Sequence, residues 1–234
     1  MSSYTLLYWP GIPGRGEYVR LAFEYTNTKY KEINVPNAFS PHLSPKGPHF
    51  AVPILQIDNG WTLSQTAAIL AYLAPKLKLA GANEHEQATI NQLTLTALDL
   101  STEAHDVHHP VANALYYEDQ KDEALRAAED FKSLRIPKYL THFETVLKGN
   151  AENNVLVGSA ISTADLTLFQ VLEGLLFAFP RRMGTMKKSG QYDKTFALHE
   201  TVKNLKNLQH YLKSDRRNEF SMGLFRHYPE LDSE

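Results

Sequence analysis

The sequence predicts a small α/β domain followed by an all-helical domain. Two observations carry this. The strand signals, at Thr5–Tyr8, Tyr30–Val35, Ile54–Ile57 and Trp61–Leu63, all fall before residue 76, and beyond Gly81 helical periodicity takes over. The stretch from Val52 to Leu70 reads as strand, tight turn, strand and helix start. With 234 residues and 43 % hydrophobic content, the chain can build one large domain or two small ones, and the switch of pattern favours two. The expected boundaries are 1–76 for the first domain, 77–82 for a linker and 83–234 for the helical domain with its C-terminal extension.

Thr5-Leu6-Leu7-Tyr8 is apolar enough for a buried first strand. Trp9 to Gly14 holds two prolines and two glycines in six residues and reads as a loop. Glu17 to Tyr25 places Tyr18, Leu21, Ala22 and Tyr25 at the spacing of an amphipathic helix. Tyr30 to Val35 alternates like a half-exposed strand, and a strand–helix–strand unit is normally a right-handed crossover between parallel strands. Residues 36–50 hold four prolines and read as an irregular loop. Asp58-Asn59-Gly60 supplies residues that tolerate positive φ in a hairpin. Ser64 then stands where a helix N-cap is expected, ahead of the run Ala67–Leu73 that Pro75 ends.

Past the linker, Glu84 to Leu115 is one long helical pattern and Glu123 to Leu147 another, with Pro110 and Pro137 expected to kink or break them. Ser162-Thr163-Ala164-Asp165 resembles a capping box opening the apolar run Leu166–Phe179. That run is apolar nearly all round, which places it in the core of the helical domain. Pro180 to Gly184 should end it, and Thr195 to Leu212 supplies one or two further helices. The tail beyond carries aromatic anchors at Phe220, Phe225 and Tyr228.

Composition narrows function by exclusion. A formal net charge of -2 gives no general attraction to nucleic acid or to an anionic membrane. The chain has no cysteine, which rules out disulfides, thiolate nucleophiles and zinc–thiolate sites. Met1-Ser2-Ser3-Tyr4 lacks a basic segment followed by an apolar core, so no signal peptide is expected, and no apolar run is long enough to span a bilayer. A cytoplasmic location fits these features.

Two features suggest chemistry. Proline belongs at a strand's first residue or edge, and a cis bond at Val52-Pro53 would leave Val52 free to pair its backbone with an extended ligand. Ser64-Gln65-Thr66 brings hydroxyls and backbone N–H groups to a helix N-terminus, a ready carboxylate site. On these residues alone, a proline-edged hairpin followed by an ordinary capped helix is the preferred reading.

Taken in order, the motifs resemble those of the cytosolic glutathione transferases. Thr5 to Trp9 and Gly14-Arg15-Gly16-Glu17 look like that family's opening strand and the turn into its first helix. Val52-Pro53 looks like its cis-proline motif, Leu63 to Ile69 like its γ-glutamyl motif, and Gly158 with Ser162–Asp165 like its capping motif. The resemblance covers residues 4 to about 212 and implies the glutathione transferase fold, a thioredoxin-like α/β domain joined to an all-α domain. A tyrosine at the end of the first strand resembles the tyrosine-type classes, most like sigma or pi.

The resemblance implies a detoxifying transferase, with glutathione as co-substrate, no other cofactor and no metal. A small hydrophobic electrophile would be the second substrate and a homodimer the assembly. It assigns Tyr8 as hydrogen-bond donor to the glutathione sulfur and Arg15 as added positive charge. Val52, held by Pro53, would pair with the cysteinyl unit. Gln65 and Thr66 would bind the γ-glutamyl end, and Asp99 would reach the partner subunit's ligand. The loop from Tyr8 to Arg15 is one residue longer than in the sigma and pi pattern, and Ala51 stands where the family usually has Gln or Lys. No tryptophan or lysine falls where the glycyl-carboxylate anchors are expected, and Lys46 is the nearest cation. Trp9, Ile12, His105 and His109 are candidates for the second substrate's wall.

Other readings compete. His105 and His109 at i, i+4 have zinc-binding spacing, yet no third ligand is evident, and cleft-lining histidines account for them as well. Gly11-x-x-Gly14-x-Gly16 is not in the dinucleotide order and lacks a phosphate-loop lysine, so it reads as a turn. A non-catalytic binding or structural protein of the same fold is the alternative to an enzyme, since fold does not imply function. A glutathione-dependent isomerase or peroxidase would use the same site.

Overall fold

A computed structural model describes residues 3–35, 47–58 and 60–233. Most of the proline-rich 36–50 loop, Lys46 and Asn59 of the expected hairpin turn lie outside the described residues.

Four strands form one mixed sheet: β1 (Tyr4–Tyr8), β2 (Tyr30–Asn34), β3 (Ile54–Ile57) and β4 (Trp61–Ser64), in the order β2-β1-β3-β4. β1 runs parallel to β2 and antiparallel to β3, and β3 is antiparallel to β4. The parallel pair is bridged by α1 (Glu17–Tyr25), as the strand–helix–strand pattern requires. α2 (Thr66–Lys76) follows β4. Leu6, Val19, Phe23, Leu55, Ile69 and Leu73 close one core between the sheet and these two helices. Tyr8, Val35, Val52 and Ile54 form a smaller cluster at the other end of the strands.

Ser64 is not the cap of α2. It is the last residue of β4, opposite Ile54 in the ladder, and the capping position falls to Gln65. The hydroxyl of Ser64 is engaged elsewhere, 3.0 Å from His49 Nδ1.

The helical part consists of α3 (Glu84–Asp106), α4 (Lys121–Asp130), α5 (Ile136–Gly149), α6 (Thr163–Ala178), α7 (Pro180–Lys188), α8 (Asp193–Lys203) and α9 (Lys206–Leu212). The expected helix from Glu84 to Leu115 stops at Asp106. His108 and His109 already bond three residues back, to the carbonyls of His105 and Asp106, and Pro110 forbids a continuation. The second long pattern divides at a π-helical stretch, Phe131–Arg135, because Pro137 has no N–H for the carbonyl four residues behind it.

α6 is the core helix that its all-round apolarity predicts, with Leu166, Leu168, Phe169, Val171, Leu172 and Leu175 buried. Asp165 closes its capping box. Its carboxylate accepts from the N–H and Oγ of Ser162 at 2.8 and 2.6 Å, and from Leu156 N–H at 2.8 Å. α7 corrects the sequence reading, in which Pro180 only ended α6. Here Pro180 is the first residue of a new helix, and its free N–H groups at Arg181 and Arg182 donate to Asp232, fifty positions along the chain.

The tail after Leu212 packs back over the helical part. Phe220 stacks on Phe177 of α6 at 5.3 Å, and Tyr228 stacks on Tyr117 at 3.7 Å. Among the described residues no helix is long and apolar enough to cross a membrane.

Candidate active site

Tyr8 ends β1 and lies 3 % exposed beneath the turn Gly14–Gly16. The turn fits closely on the phenol: a Cβ on Gly14 would sit 2.2 Å from Tyr8 Oη, and one on Gly16 2.8 Å from Cγ. The Arg15 N–H donates to Tyr8 Oη at 2.7 Å. The tyrosine's own proton therefore remains for another acceptor. Within the β1–α1 loop Gly11 takes φ +75°, with open space around its Cβ position.

Burial pushes the Tyr8 phenol above its ordinary pKa. The Arg15 N–H, then the charges of Arg20 and Arg15, oppose the shift without cancelling it. Tyr8 is therefore a neutral donor near neutral pH and not a base. Arg20 was not singled out from the sequence. Its guanidinium lies 5.5 Å from the Tyr8 ring centroid and is held by Glu17, Glu32 and the Pro13 carbonyl. Glu17 in turn accepts from Tyr211 Oη at 2.9 Å, which ties this corner to α9.

The Val52–Pro53 bond is cis, and Val52 and Pro53 are buried beside Ile54. Gln65 has φ +70°, sparsely populated for a side chain other than glycine, and its side chain is exposed. Thr66 begins α2, and its hydroxyl donates to the Arg15 carbonyl at 3.3 Å. Arg15 thus links Tyr8 through its N–H and Thr66 through its C=O. Ala51 is half-buried. His49, unforeseen in the sequence, bridges Thr62 Oγ1 at 2.9 Å and Ser64 Oγ at 3.0 Å, and so fastens the segment before Val52 to β4.

A series of contacts joins the loop after Tyr8 to α3 and to the C-terminal tail. Arg15 Nη2 donates to Thr102 Oγ1 of α3 at 3.2 Å. His105 follows one helical turn later, its ring within 5.0 Å of both His108 and His109. His108 Nε2 bonds the Leu224 carbonyl at 3.3 Å, and the neighbouring Gly223 lies against Ile12. Asn218 Nδ2 donates to the Ile12 carbonyl at 3.3 Å. Trp9 is 38 % exposed, with its ring 5.8 Å from that of Tyr8. The C-terminal tail thus packs against both the β1–α1 loop and the segment just after α3. No local signal could reveal that, because its partners lie more than 100 positions away.

His108 donates through Nε2, which leaves its buried Nδ1 without a partner among the described residues. Burial, and then the charges of Arg226 and His105, push its pKa down to about 3. Burial followed by Arg226 also lowers that of His109. Among the described residues no group of His, Asp or Glu is placed to hold a metal ion. Asp99 stands exposed on α3.

Family models cover both parts of the chain. The glutathione S-transferase N-terminal domain matches residues 3–75 and the C-terminal domain matches residues 105–215. Glutathione S-transferase P 1 of Xenopus laevis is 28 % identical over 224 residues, 93 % of this chain and 95 % of that protein. S-crystallin 4 of Enteroctopus dofleini is 26 % identical over 226 residues, 94 % of this chain and 100 % of that one. Rat hPGDS, solved in complex with a quinoline, superposes with a TM-score of 0.74 at 24 % identity over 93 % of this chain and 98 % of that chain. With its sheet-bearing half and its helical half each matched by the corresponding domain, the chain belongs to the glutathione S-transferase family.

Proposed function

We propose that the protein binds glutathione, holds its sulfur as a thiolate through Tyr8, and directs it at a small hydrophobic electrophile where the β1–α1 loop, α3 and the C-terminal tail meet. The observation that carries this reading is the Tyr8 hydroxyl. It accepts from Arg15 N–H and keeps its own proton to give. A thiol with an ordinary pKa near ~8.5 is only a few per cent ionised at pH 7. Lowering that pKa by about two units takes about 2.7 kcal/mol. One hydrogen bond to a charged acceptor is worth about 1.5–3 kcal/mol, so a single phenol suffices in size. The Arg15 N–H polarises the hydroxyl and strengthens it as a donor. The thiol proton leaves to solvent, the sulfur pair forms the new bond to carbon, and the electrophile's leaving group departs with its bonding pair, or its double bond takes up the charge.

The remaining assignments follow the ligand outward. The backbone of Val52, beside the cis Pro53, pairs with the cysteinyl unit. The N-terminus of α2, with Gln65 and Thr66, receives the γ-glutamyl end. Asp99 reaches the ligand of a second subunit in a homodimer. Arg15 adds positive charge while its guanidinium is tied to Thr102. Lys46 is left as the glycyl anchor. Trp9, Ile12, His105 and His109 wall the second substrate. Domain limits of 1–76 and 83–234 suit this division of labour, with glutathione on the first and the electrophile against the second. The likeness to S-crystallin 4 keeps a non-catalytic relative as the alternative.

The test is conjugation of glutathione to a generic aryl halide at saturating glutathione, for the wild type beside Tyr8→Phe. A loss of about ten-fold or more with glutathione binding retained supports the thiolate role. Equal rates remove Tyr8 from the mechanism. No turnover by the wild type, with glutathione bound, favours the non-catalytic alternative.

A further inference from the structure

We propose that Arg217, on the C-terminal tail, is a positioning residue for Tyr8: through Glu17 and Arg20 it fixes the turn and the guanidinium that make the phenol a donor to the glutathione thiolate. The inference rests on the function proposed above and adds to it a residue that the β1–α1 turn does not itself contain.

The tail meets the Tyr8 corner at three consecutive residues. Arg216 forks onto Glu24 of α1, with Nη1 to Oε1 at 2.7 Å and Nη2 to Oε2 at 2.9 Å. Arg217 Nε lies 3.5 Å from Oε1 of Glu17, the first residue of α1. Asn218 Nδ2 donates to the Ile12 carbonyl in the loop before it. Glu17 and Glu24 stand two turns apart on one face of α1, so the tail is laid along that helix. Arg217 also reaches the helical part. Its Nη2 is 3.3 Å from both Glu173 Oε2 and Gln170 Oε1 of α6, and its guanidinium stands 5.9 Å over the Phe169 ring.

Glu17 carries this connection toward Tyr8. Its carboxylate is closed off from solvent and serves Arg20 at 3.1 Å, Arg217 at 3.5 Å and Tyr211 Oη at 2.9 Å. Arg20, also buried, faces Glu32 as well, and its Nη1 holds the Pro13 carbonyl at 3.0 Å. Pro13 directly precedes the Gly14–Gly16 turn, whose Arg15 N–H aims Tyr8, and the Arg20 guanidinium lies 5.5 Å from the Tyr8 ring centroid.

The effect of losing Arg217 falls on the Glu17 side. Glu173 keeps His199 Nε2 at 2.7 Å and Lys203 at 3.9 Å. Glu17 keeps Arg20 alone as a cation among the described residues, and Arg20 must then serve two carboxylates, one of them fully buried. Arg20 is redistributed between the two acids, and the Pro13 carbonyl and the Tyr8 ring lose a fixed guanidinium. A phenol with less positive charge beside it and a looser turn above it is a weaker donor to a charged sulfur.

Titration of the bound thiol tests this. The ultraviolet absorbance of the thiolate, followed against pH at saturating glutathione, reads the thiol pKa in the complex without turnover. We expect Arg217→Met to raise that pKa by about 0.5–1, Arg217→Lys by about half as much or less, and Arg217→Met in a Tyr8→Phe background to add nothing further. Conjugation to the aryl halide should show kcat about three- to ten-fold lower at neutral pH, a defect that narrows as pH passes the raised pKa, and a KM for glutathione within about two-fold of wild type. Should Arg217→Met not fold, Arg217→Gln, which keeps an N–H₂ donor between the two carboxylates, takes its place with the same expectation. A thiol pKa left unchanged overturns the positioning role. So does a kcat loss of the same size at every pH, the mark of a looser fold. A shift that persists in full in the Tyr8→Phe background overturns it too, because Arg217 then acts by another route. In each of these cases a depressed thiol pKa in the wild type that Tyr8→Phe raises keeps the proposed function standing. A wild type that binds no glutathione, or whose bound thiol titrates at its ordinary value, removes the proposed function and the positioning role with it.

Discussion

The hydroxyl oxygen of Tyr8 takes a hydrogen bond from the backbone N–H of Arg15 at 2.7 Å, so a turn of main chain aims the phenol. The neighbour that permits this is Gly14, at φ +49° and with no room for a Cβ beside Tyr8 Oη. Gly14→Ala should act on the hydroxyl first, with a backbone cost of about 1–2 kcal/mol added to stability. We expect kcat/KM for conjugation to fall about ten-fold or more, and the double variant with Tyr8→Phe to be little worse than Tyr8→Phe alone. Fully additive losses would mean that Gly14 serves the fold and not the placement of the phenol.

Asp165 offers a stability test away from the candidate site. It is fully buried, and burial pushes its carboxyl upward in pKa against three hydrogen bonds that favour the charged form. Asn in its place keeps the volume but turns an N–H₂ group toward donors. About 1–3 kcal/mol should be lost for each group left unsatisfied. The midpoint of urea unfolding for Asp165→Asn should drop accordingly, with activity per folded molecule retained. An unchanged midpoint would show that the box contributes nothing to α6.

Local signals were enough for much of this fold. Ile54–Ile57 and the residues around it declared a hairpin, Val52-Pro53 declared its edge, and Ser162–Asp165 declared the start of α6, because each depends on neighbours a few positions away. The failures are non-local. Ser64 resembles an N-cap until its pairing with Ile54 keeps it in β4 and His49 occupies its hydroxyl. Pro180 resembles a helix stop until Asp232 caps the N-terminus it creates. In the candidate site Tyr8, Arg15 and Thr66 were legible as a motif, whereas Thr102, His108, Arg20 and the tail enter only through contacts that periodicity cannot register.

Glu103 gives a pH-dependent prediction. Arg135 holds its carboxylate through two hydrogen bonds of 2.8 and 2.6 Å, and Tyr139 adds a third at 2.7 Å. The Arg135 hydrogen bond outweighs burial and lowers the Glu103 pKa below the ordinary value. A depressed folded-state pKa contributes stability above the unfolded-state value, near ~4.3 for Glu, and loses it as pH falls through the folded-state value. The difference in unfolding free energy between wild type and Glu103→Gln should therefore be present at neutral pH and shrink as the solution is taken below about pH 4. A gap constant across that range would assign the loss to packing instead of charge.

Asp99 carries the prediction that reaches beyond one chain. It is exposed on α3, and Leu95, one turn earlier on the same face, is 44 % exposed, so an apolar residue and an acid stand side by side on an uncovered surface. In a dimer that buries this face, Asp99 would touch the amine of glutathione bound to the partner. Sizing at low micromolar concentration should then give twice the chain mass. Asp99→Asn should raise the KM for glutathione several-fold with kcat nearly unchanged, the pattern of a lost uniform binding contact. Leu95→Glu should shift the sizing toward a monomer and raise the same KM, and adding Asp99→Asn to it should raise it no further, because a monomer has no partner aspartate to lose. A wild type that elutes as a monomer, or a Leu95→Glu monomer whose KM still responds to Asp99→Asn, would confine Asp99 to its own subunit.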